Sequence, residues 1–354
     1  MVIMKILKTA FPYAVAIALL TYVVWSNWRP AGSGGLEAVW NKHIIEGQPI
    51  PHPGYWLLAA LVWVVSLLIT FVRWYFLVRA VDLPFTIPDA LRLGLVGNFF
   101  NSFMPGSIGG DILKAAFIAR EQEGRRATAV ATVMMDRLVG LWALVWFVAV
   151  LGAAFWAGGM LEGAVADRLK SLVTTSLVIC GVSVVVWFLL GLLPPEQAER
   201  FGGRLSRVPK VGDTLAELWL TFSLYHNRQR SVLLAMILSF FGFIGFTLTY
   251  YFSAVTFQEP GQALPTWQEH FLVVPIGMVC QALFFLSPGG AGAGELVFGW
   301  LYKLLNYDKD LGVLMSLTQR MITWIVGLVG YLAYLRMRSG LANSLSERGD
   351  PTNV

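Results

Sequence analysis

Residues 98–111 read Asn-Phe-Phe-Asn-Ser-Phe-Met-Pro-Gly-Ser-Ile-Gly-Gly-Asp, which places a Pro-Gly loop inside an apolar segment. A second such loop lies in residues 286–295, which read Leu-Ser-Pro-Gly-Gly-Ala-Gly-Ala-Gly-Glu. An offset of 183 residues relates the two regions and matches Gly94 with Gly277, Asn98 with Gln281, Pro105 with Pro288, and Arg137 with Arg320. Apolar segments that are broken at corresponding positions of two halves indicate a transporter binding site. We therefore predict an internal repeat with a ligand site between its two loops.

The composition predicts an integral membrane protein. The chain has 354 residues, of which 56% are hydrophobic and 13% are charged, whereas a soluble domain carries about 25% charged residues. Its 14 Trp residues fit the aromatic belts at membrane interfaces. The basic residues fall in short loops, so we expect no nucleic-acid partner. Cys180 and Cys280 lie in apolar segments without disulfide or metal-ligand spacing, and we expect no metal and no cofactor.

Six segments are apolar and long enough to span a bilayer, which takes about 20 residues. They cover roughly 6–26, 56–78, 127–157, 171–193, 232–257 and 311–335. Two further intervals, 88–119 and 268–306, are apolar but broken by Pro and Gly. We predict a re-entrant helix–loop–helix hairpin in each, while ordinary helices with a Pro kink are the alternative. The predicted fold is an all-α polytopic membrane protein with about six spanning helices and two re-entrant hairpins in an inverted repeat.

The positions of Lys and Arg predict the orientation, because cytoplasmic loops carry an excess of both. Lys5 and Lys8 precede the first apolar segment, which lacks a small-residue cleavage site and is interpreted as an uncleaved helix. We expect a multi-pass protein of the cytoplasmic membrane with both termini in the cytoplasm. The predicted organisation is one transmembrane domain over 1–338, with inverted units at about 5–160 and 170–338, and a polar cytoplasmic tail over 339–354.

A helix begins after each loop, near Asp111 in the first and near Glu295 in the second. Its N-terminus presents unpaired N–H groups and a positive dipole end, which suit an anion. Asp111 and Glu295 would cap these helices, pair with arginines or carry protons. Arg137 and Arg320 lie well inside apolar segments, where an arginine is costly and usually functional. Their planar guanidinium groups suit phosphate, and a snorkelling side chain or a structural ion pair is the alternative.

Polar residues near the loops complete the candidate site. Asn98, Asn101 and Gln281 would line a polar cavity or satisfy freed backbone groups, and Lys114 would contact a headgroup or snorkel. The candidate substrate-binding residues are Asn98, Asn101, Pro105, Gly106, Ser107, Gly109, Gly110, Asp111, Lys114, Arg137, Gln281, Ser287, Pro288, Gly289, Gly290, Glu295 and Arg320.

Enzyme signatures are missing from the sequence. Gly106-Ser107-Ile108-Gly109 does not have the G-x-S-G order of an intramembrane serine protease, and the chain contains no H-E-x-x-H motif and no P-loop. We therefore expect no catalytic residues and no enzymatic activity.

Residues 98–111 resemble the signature of the lysylphosphatidylglycerol synthase transmembrane-region family. Residues 136–141 resemble the segment that follows it there, and residues 287–295 resemble the second Pro-Gly motif of that family. The resemblance covers roughly residues 5–335 and implies a flippase-like domain that moves a phospholipid across the bilayer. The best-known members act on lysyl-phosphatidylglycerol and carry a cytosolic aminoacyl-transferase domain after the membrane part. Since these residues include no such domain, synthase activity is not expected.

An anionic membrane phospholipid is the expected partner, with a separate lipid-modifying enzyme as a second candidate and the oligomeric state left open. A membrane-embedded transferase or hydrolase that acts on a lipid-linked substrate is one alternative. A non-catalytic accessory subunit is the other. A wet cavity with converging helix ends would favour transport, and a sealed apolar interface would favour the accessory role.

Overall fold

The computed structural model describes residues 2–28, 36–104, 109–122, 124–163, 165–191, 203–206, 212–284 and 286–348. These residues form helices and no β-strand. The principal helices are α1 Val2–Asn27, α2 Leu36–Trp40 (continued by a π-helical turn, Asn41–Ile45), α3 Pro53–Ala80, α4 Ile87–Phe103, α5 Gly109–Glu121, α6 Arg126–Ala157, α7 Ala166–Gly191, α8 Gly212–His226, α9 Gln229–Thr256, α10 Trp267–Leu283, α11 Ala293–Leu304 and α12 Lys309–Arg348.

Among the described residues, six helices are long and apolar enough to cross a membrane. The candidate spans are Ala10–Asn27, Pro53–Ala80, Arg126–Ala157, Ala166–Leu189, Gln229–Thr256 and Lys309–Arg336. They belong to α1, α3, α6, α7, α9 and α12. The prediction of an all-α polytopic membrane protein with six spanning helices is confirmed.

Each of the two broken intervals forms a pair of shorter helices. Helices α4 and α10 have 17 residues each, which corresponds to about 26 Å at 1.5 Å per residue and is less than the roughly 30 Å of a hydrocarbon core. Thr86 and Thr266 begin these helices with capping boxes, in which the third helical residue is Asp89 or Glu269. Within each pair the second helix packs back against the first.

The two helix pairs have their open ends at opposite ends of α6. In the first pair, Gln122 donates to the carbonyl oxygen of Pro84 at 3.2 Å, so the start and the end of the pair lie together beside the start of α6. In the second pair, Tyr307 donates to Glu269 at 3.1 Å. Phe155, near the end of α6, contacts Trp267 at the start of α10, with ring centroids 5.2 Å apart. These contacts agree with hairpins of opposite entry, while the re-entrant placement and the inverted repeat stay predictions.

The centre of the bundle is built by α3 and α9, which pack at close range. Gly245 of α9 makes this approach possible, because a Cβ atom there would lie 1.9 Å from Oγ of Ser66 on α3. One apolar cluster contains Phe298 of the second helix pair, and another contains Ile118 of the first. Each pair is therefore anchored in an apolar cluster of its own.

We predict that Arg126 and Asp308 lie on opposite sides of the membrane. Both residues are exposed, and the positive-inside rule places the arginine in the cytoplasm. Single cysteines at these positions, in a chain whose Cys180 and Cys280 are replaced by serine, should react with an impermeant maleimide from opposite sides. Labelling of both from one side of sealed vesicles would contradict the inverted arrangement.

Candidate functional site

The end of α4 meets the second Pro-Gly loop inside the bundle. Gly289 has a φ of +55° and lies against the end of α4, where an added Cβ atom would come 3.0 Å from the carbonyl oxygen of Ser102. Gly110 begins α5 so close to α4 that a Cβ atom would lie 1.9 Å from the carbonyl oxygen of Gly97. Both contacts favour glycine, because a side chain at Gly289 would push the second loop away from α4 and one at Gly110 would push α5 away from α4. The predicted site residues Pro105, Gly106 and Ser107 lie outside the described residues.

A cavity of about 230 Å³ lies at this junction. It is lined by Trp63, Asn98, Asn101, Ser102, Arg137, Tyr250, Met278, Gln281, Ala282, Gly289, Gln319, Arg320, Thr323 and Trp324. Helices α3, α4, α6, α9, α10 and α12 all contribute to its wall. Both halves of the chain therefore supply polar residues to one space.

The structure places the predicted site residues in two groups. Asn98, Asn101, Arg137, Gln281, Gly289 and Arg320 line the cavity. Gly109, Gly110, Asp111, Lys114, Ser287, Pro288, Gly290 and Glu295 are absent from its lining. Some residues of this second group hold lining residues in place. The N–H of Gly110, for example, donates to Oδ1 of Asn101 at 2.8 Å.

Arg320 holds the second loop from within the protein. Its Nε donates to Glu295, and its Nη2 donates to the same carboxylate at 3.1 Å. Nη1 and Nη2 also donate to the carbonyl oxygens of Gly289 and Gly290 at 3.1 and 3.3 Å. Glu295 is fully buried and accepts the N–H of Gly292 at 2.7 Å, so it both caps α11 and pairs with the arginine. Of the five N–H donors of an arginine, one is left for a ligand.

Arg137 occupies the matching position but has a different environment. Its side chain is 49% exposed, against 5% for Arg320. It forms an ion pair with Asp111, in which Nη2 lies 2.5 Å from Oδ2. Asp111 is itself largely buried behind the wall, so the ion pair holds the Arg137 side chain in place beside the cavity. An exposed arginine inside a spanning helix that borders a polar cavity is a ligand-site candidate.

A second buried ion pair lies behind the wall and was missed by sequence reasoning. Nε of Arg73 donates to Oδ1 of Asp136 at 2.8 Å, and its Nη1 donates to Ser239 at 2.9 Å. Arg73 lies within the second predicted span, so its charge was a visible signal. Its partner is 63 residues away, which is why the pairing itself could not be read from spacing.

The charged side chains next to the cavity balance differently in the two halves. In the second half Arg320 and Glu295 neutralise each other. In the first half, Arg73, Lys114 and Arg137 face only Asp111 and Asp136. This group of described residues therefore carries one positive charge in excess. Such an excess favours an anion at the cavity, where the low dielectric strengthens the attraction.

Two residues of the cavity wall also carry buried hydrogen-bond donors that the described residues do not satisfy. Nδ2 of Asn98 and Nε1 of Trp63 are buried without an acceptor, and both residues line the cavity. Buried donors without partners are unfavourable.

We predict that Arg320→Ala lowers the free energy of unfolding by about 3–5 kcal/mol, because it leaves Glu295 buried without its partner. Thermal denaturation in detergent measures this effect, and Arg230→Ala, at an exposed arginine at the start of α9, is the matched control. The double variant Arg320→Met/Glu295→Gln should be more stable than Arg320→Ala. If the Arg320→Ala protein unfolds at the same temperature as the parent, the ion pair does not hold the loop.

Comparison with known proteins agrees with the resemblance seen in the sequence. The family model for the lysylphosphatidylglycerol synthase transmembrane region matches residues 13–330. A UPF0104 membrane protein of Pyrococcus horikoshii is 25% identical over 314 residues, which cover 81% of this chain and 88% of that protein. No solved structure matches this chain. The chain belongs to the lysylphosphatidylglycerol synthase transmembrane-region family.

Proposed function

We propose that the protein is a membrane lipid transporter that binds the phosphate headgroup of an anionic phospholipid between its two helix pairs. The half-exposed side chain of Arg137, which lines the cavity, carries this proposal. A phosphate there would meet a planar donor group beside a cluster of charged side chains that carries one positive charge in excess. The acyl chains would stay in the lipid.

The size of the cavity supports a small headgroup. About 230 Å³ corresponds to roughly eight molecules of liquid water at about 30 Å³ each. A phosphate with a short polyol fits this space, whereas a whole lipid does not. The substrate would therefore enter headgroup first and leave its chains outside the cavity wall.

The charge of the lining supports a headgroup without an amine. Both charged residues in the wall are arginines, and its other members are neutral. The nearest carboxylates, Asp111 and Glu295, lie behind the wall and are paired with these arginines. An ammonium group would thus meet two cations and no carboxylate. Phosphatidylglycerol suits such a cavity better than its lysyl ester, the substrate of the best-known family members.

The two arginines would have different roles. Arg137 would contact the phosphate, and Arg320 would hold the loop that forms the opposite wall. The opposite positions of the two open ends suit alternating access, in which one repeat rocks against the other around a fixed site. We place the protein in the cytoplasmic membrane with both termini in the cytoplasm, where a separate lipid-modifying enzyme could supply its substrate.

The proposed activity is transport without chemical conversion. His270 is the one buried histidine among the described residues, and both of its ring nitrogens are engaged. Nδ1 lies 2.9 Å from the carbonyl oxygen of Thr266, and Nε2 lies 2.8 Å from the hydroxyl of Tyr302. This histidine is held in the core of the second helix pair, and it does not line the cavity.

We predict that Arg137→Ala weakens binding of phosphatidylglycerol by about ten- to hundredfold and slows its transport. Hydrogen bonds to charged groups contribute about 1.5–3 kcal/mol, which corresponds to such a factor. Arg137→Lys should be intermediate, because it keeps the charge and loses the planar fork. The measurement is translocation of fluorescent phosphatidylglycerol in proteoliposomes, with Arg126→Ala on the same helix as control. A folded Arg137→Ala protein with the parental rate would rule out the proposed contact.

We also predict an order of headgroups. In the same assay, unlabelled phosphatidylglycerol should compete best, phosphatidylcholine less well, and lysyl-phosphatidylglycerol least, because its ammonium groups find no carboxylate in the wall. Competition by the lysyl ester at concentrations equal to those of phosphatidylglycerol would contradict selection by charge.

A further inference from the structure

Lys114 is a buried charge that the proposed lipid site leaves without a role. Its side chain is 11% exposed, and its stem fills the space beside Gly97, where a Cβ atom would lie 2.5 Å from Cε of the lysine. Its ammonium lies over the rings of Trp74 and Phe71, at 5.1 and 5.9 Å from the ring centroids. The residue does not line the cavity. A headgroup in the cavity would therefore meet Arg137 and not Lys114.

Asp111 lies between these two cations and presents one oxygen to each. Oδ2 accepts from Nε of Arg137 at 2.5 Å, whereas Oδ1 is 4.0 Å from Nζ of Lys114. The second distance exceeds a hydrogen bond by about 1 Å. No other hydrogen-bond acceptor among the described residues serves this ammonium, so a small rotation of the carboxylate would give the lysine its missing partner.

We propose that Asp111 exchanges its ion-pair partner from Arg137 to Lys114 when an anionic headgroup enters the cavity. The incoming phosphate competes with Asp111 for the guanidinium of Arg137. A buried carboxylate that lost its partner would oppose binding strongly. Lys114 removes this penalty, because it takes over the carboxylate that the phosphate displaces. The lysine is thus a positioning residue that sets lipid affinity without touching the lipid.

This inference rests on the proposed function, since the headgroup is what displaces Asp111. It is tested with phosphatidylglycerol as the probe and the full chain in detergent, by native mass spectrometry of the bound lipid. The variants are Lys114→Met, Lys114→Arg, Asp111→Asn and the double variant Asp111→Asn/Lys114→Met. Lys303→Met, at an exposed lysine on the corresponding helix α11, is the matched control.

Lys114→Met should weaken binding about tenfold, the factor expected when a hydrogen bond to a charged group is lost, and Lys114→Arg should restore it. Asp111→Asn should bind more tightly than the parent, because the competitor for Arg137 is weakened. The double variant should bind like Asp111→Asn, because without the carboxylate of Asp111 the loss of the lysine no longer affects lipid binding. If Lys114→Met does not purify, Lys114→Gln removes the same charge and takes its place.

Two outcomes would overturn the exchange while the proposed function stands. The first is a Lys114→Met protein that binds the lipid with parental affinity. The second is an equal loss of affinity on adding Lys114→Met to the Asp111→Asn protein, which is the result expected if the lysine has only a structural role. A parental protein that shows no saturable binding of phosphatidylglycerol would overturn the proposed function and this inference with it.

Discussion

The arrangement at the centre of this protein depends on how a loop satisfies its backbone far from water. Lipid offers no partner for a free N–H or carbonyl group, so the second Pro-Gly loop needs partners from neighbouring helices. Arg320 and Gln281 both donate to the carbonyl oxygen of Gly289, at 3.1 and 3.0 Å. Glu295 accepts the N–H of Gly292 and neutralises the arginine. One ion pair therefore fixes the loop, the start of α11 and one wall of the cavity.

The same elements give a different result in the first half, and a shift of one residue is part of the reason. At the repeat offset Arg137 corresponds to Arg320, but Asp111 corresponds to Gly294 and not to Glu295. One residue along a helix turns the side chain by about 100°, so the two carboxylates approach their arginines from different directions. Glu295 pairs with Arg320 inside the protein, where both side chains are buried. Asp111 is itself largely buried, and the side chain of its partner Arg137 stays half exposed and lines the cavity.

Much of the fold could be predicted from the sequence, because bilayer thickness and backbone chemistry constrain it directly. Six long apolar runs gave six helices, and each Pro-Gly segment falls between two shorter helices of its broken interval. The two arginines occupy equivalent positions, so spacing could not show that Arg320 is buried and Arg137 exposed. That difference arises from tertiary packing. The charge of Arg73 inside an apolar segment was evident from the sequence. Its pairing with Asp136 depends on the packing of α3 against α6, which the sequence does not show.

If the protein carries lipid as proposed, it has to release its substrate as well as bind it, and the pairing of Arg137 with Asp111 would meet both requirements. A bare guanidinium in an apolar cavity would hold a phosphate tightly, since the low dielectric strengthens their attraction. A resident carboxylate competes for the same donors, so each binding event replaces one ion pair with another and the net affinity stays moderate. The excess positive charge of the first half still favours the anion over an empty cavity. The carboxylate that weakens binding thus also speeds release, at whichever face of the membrane the cavity opens.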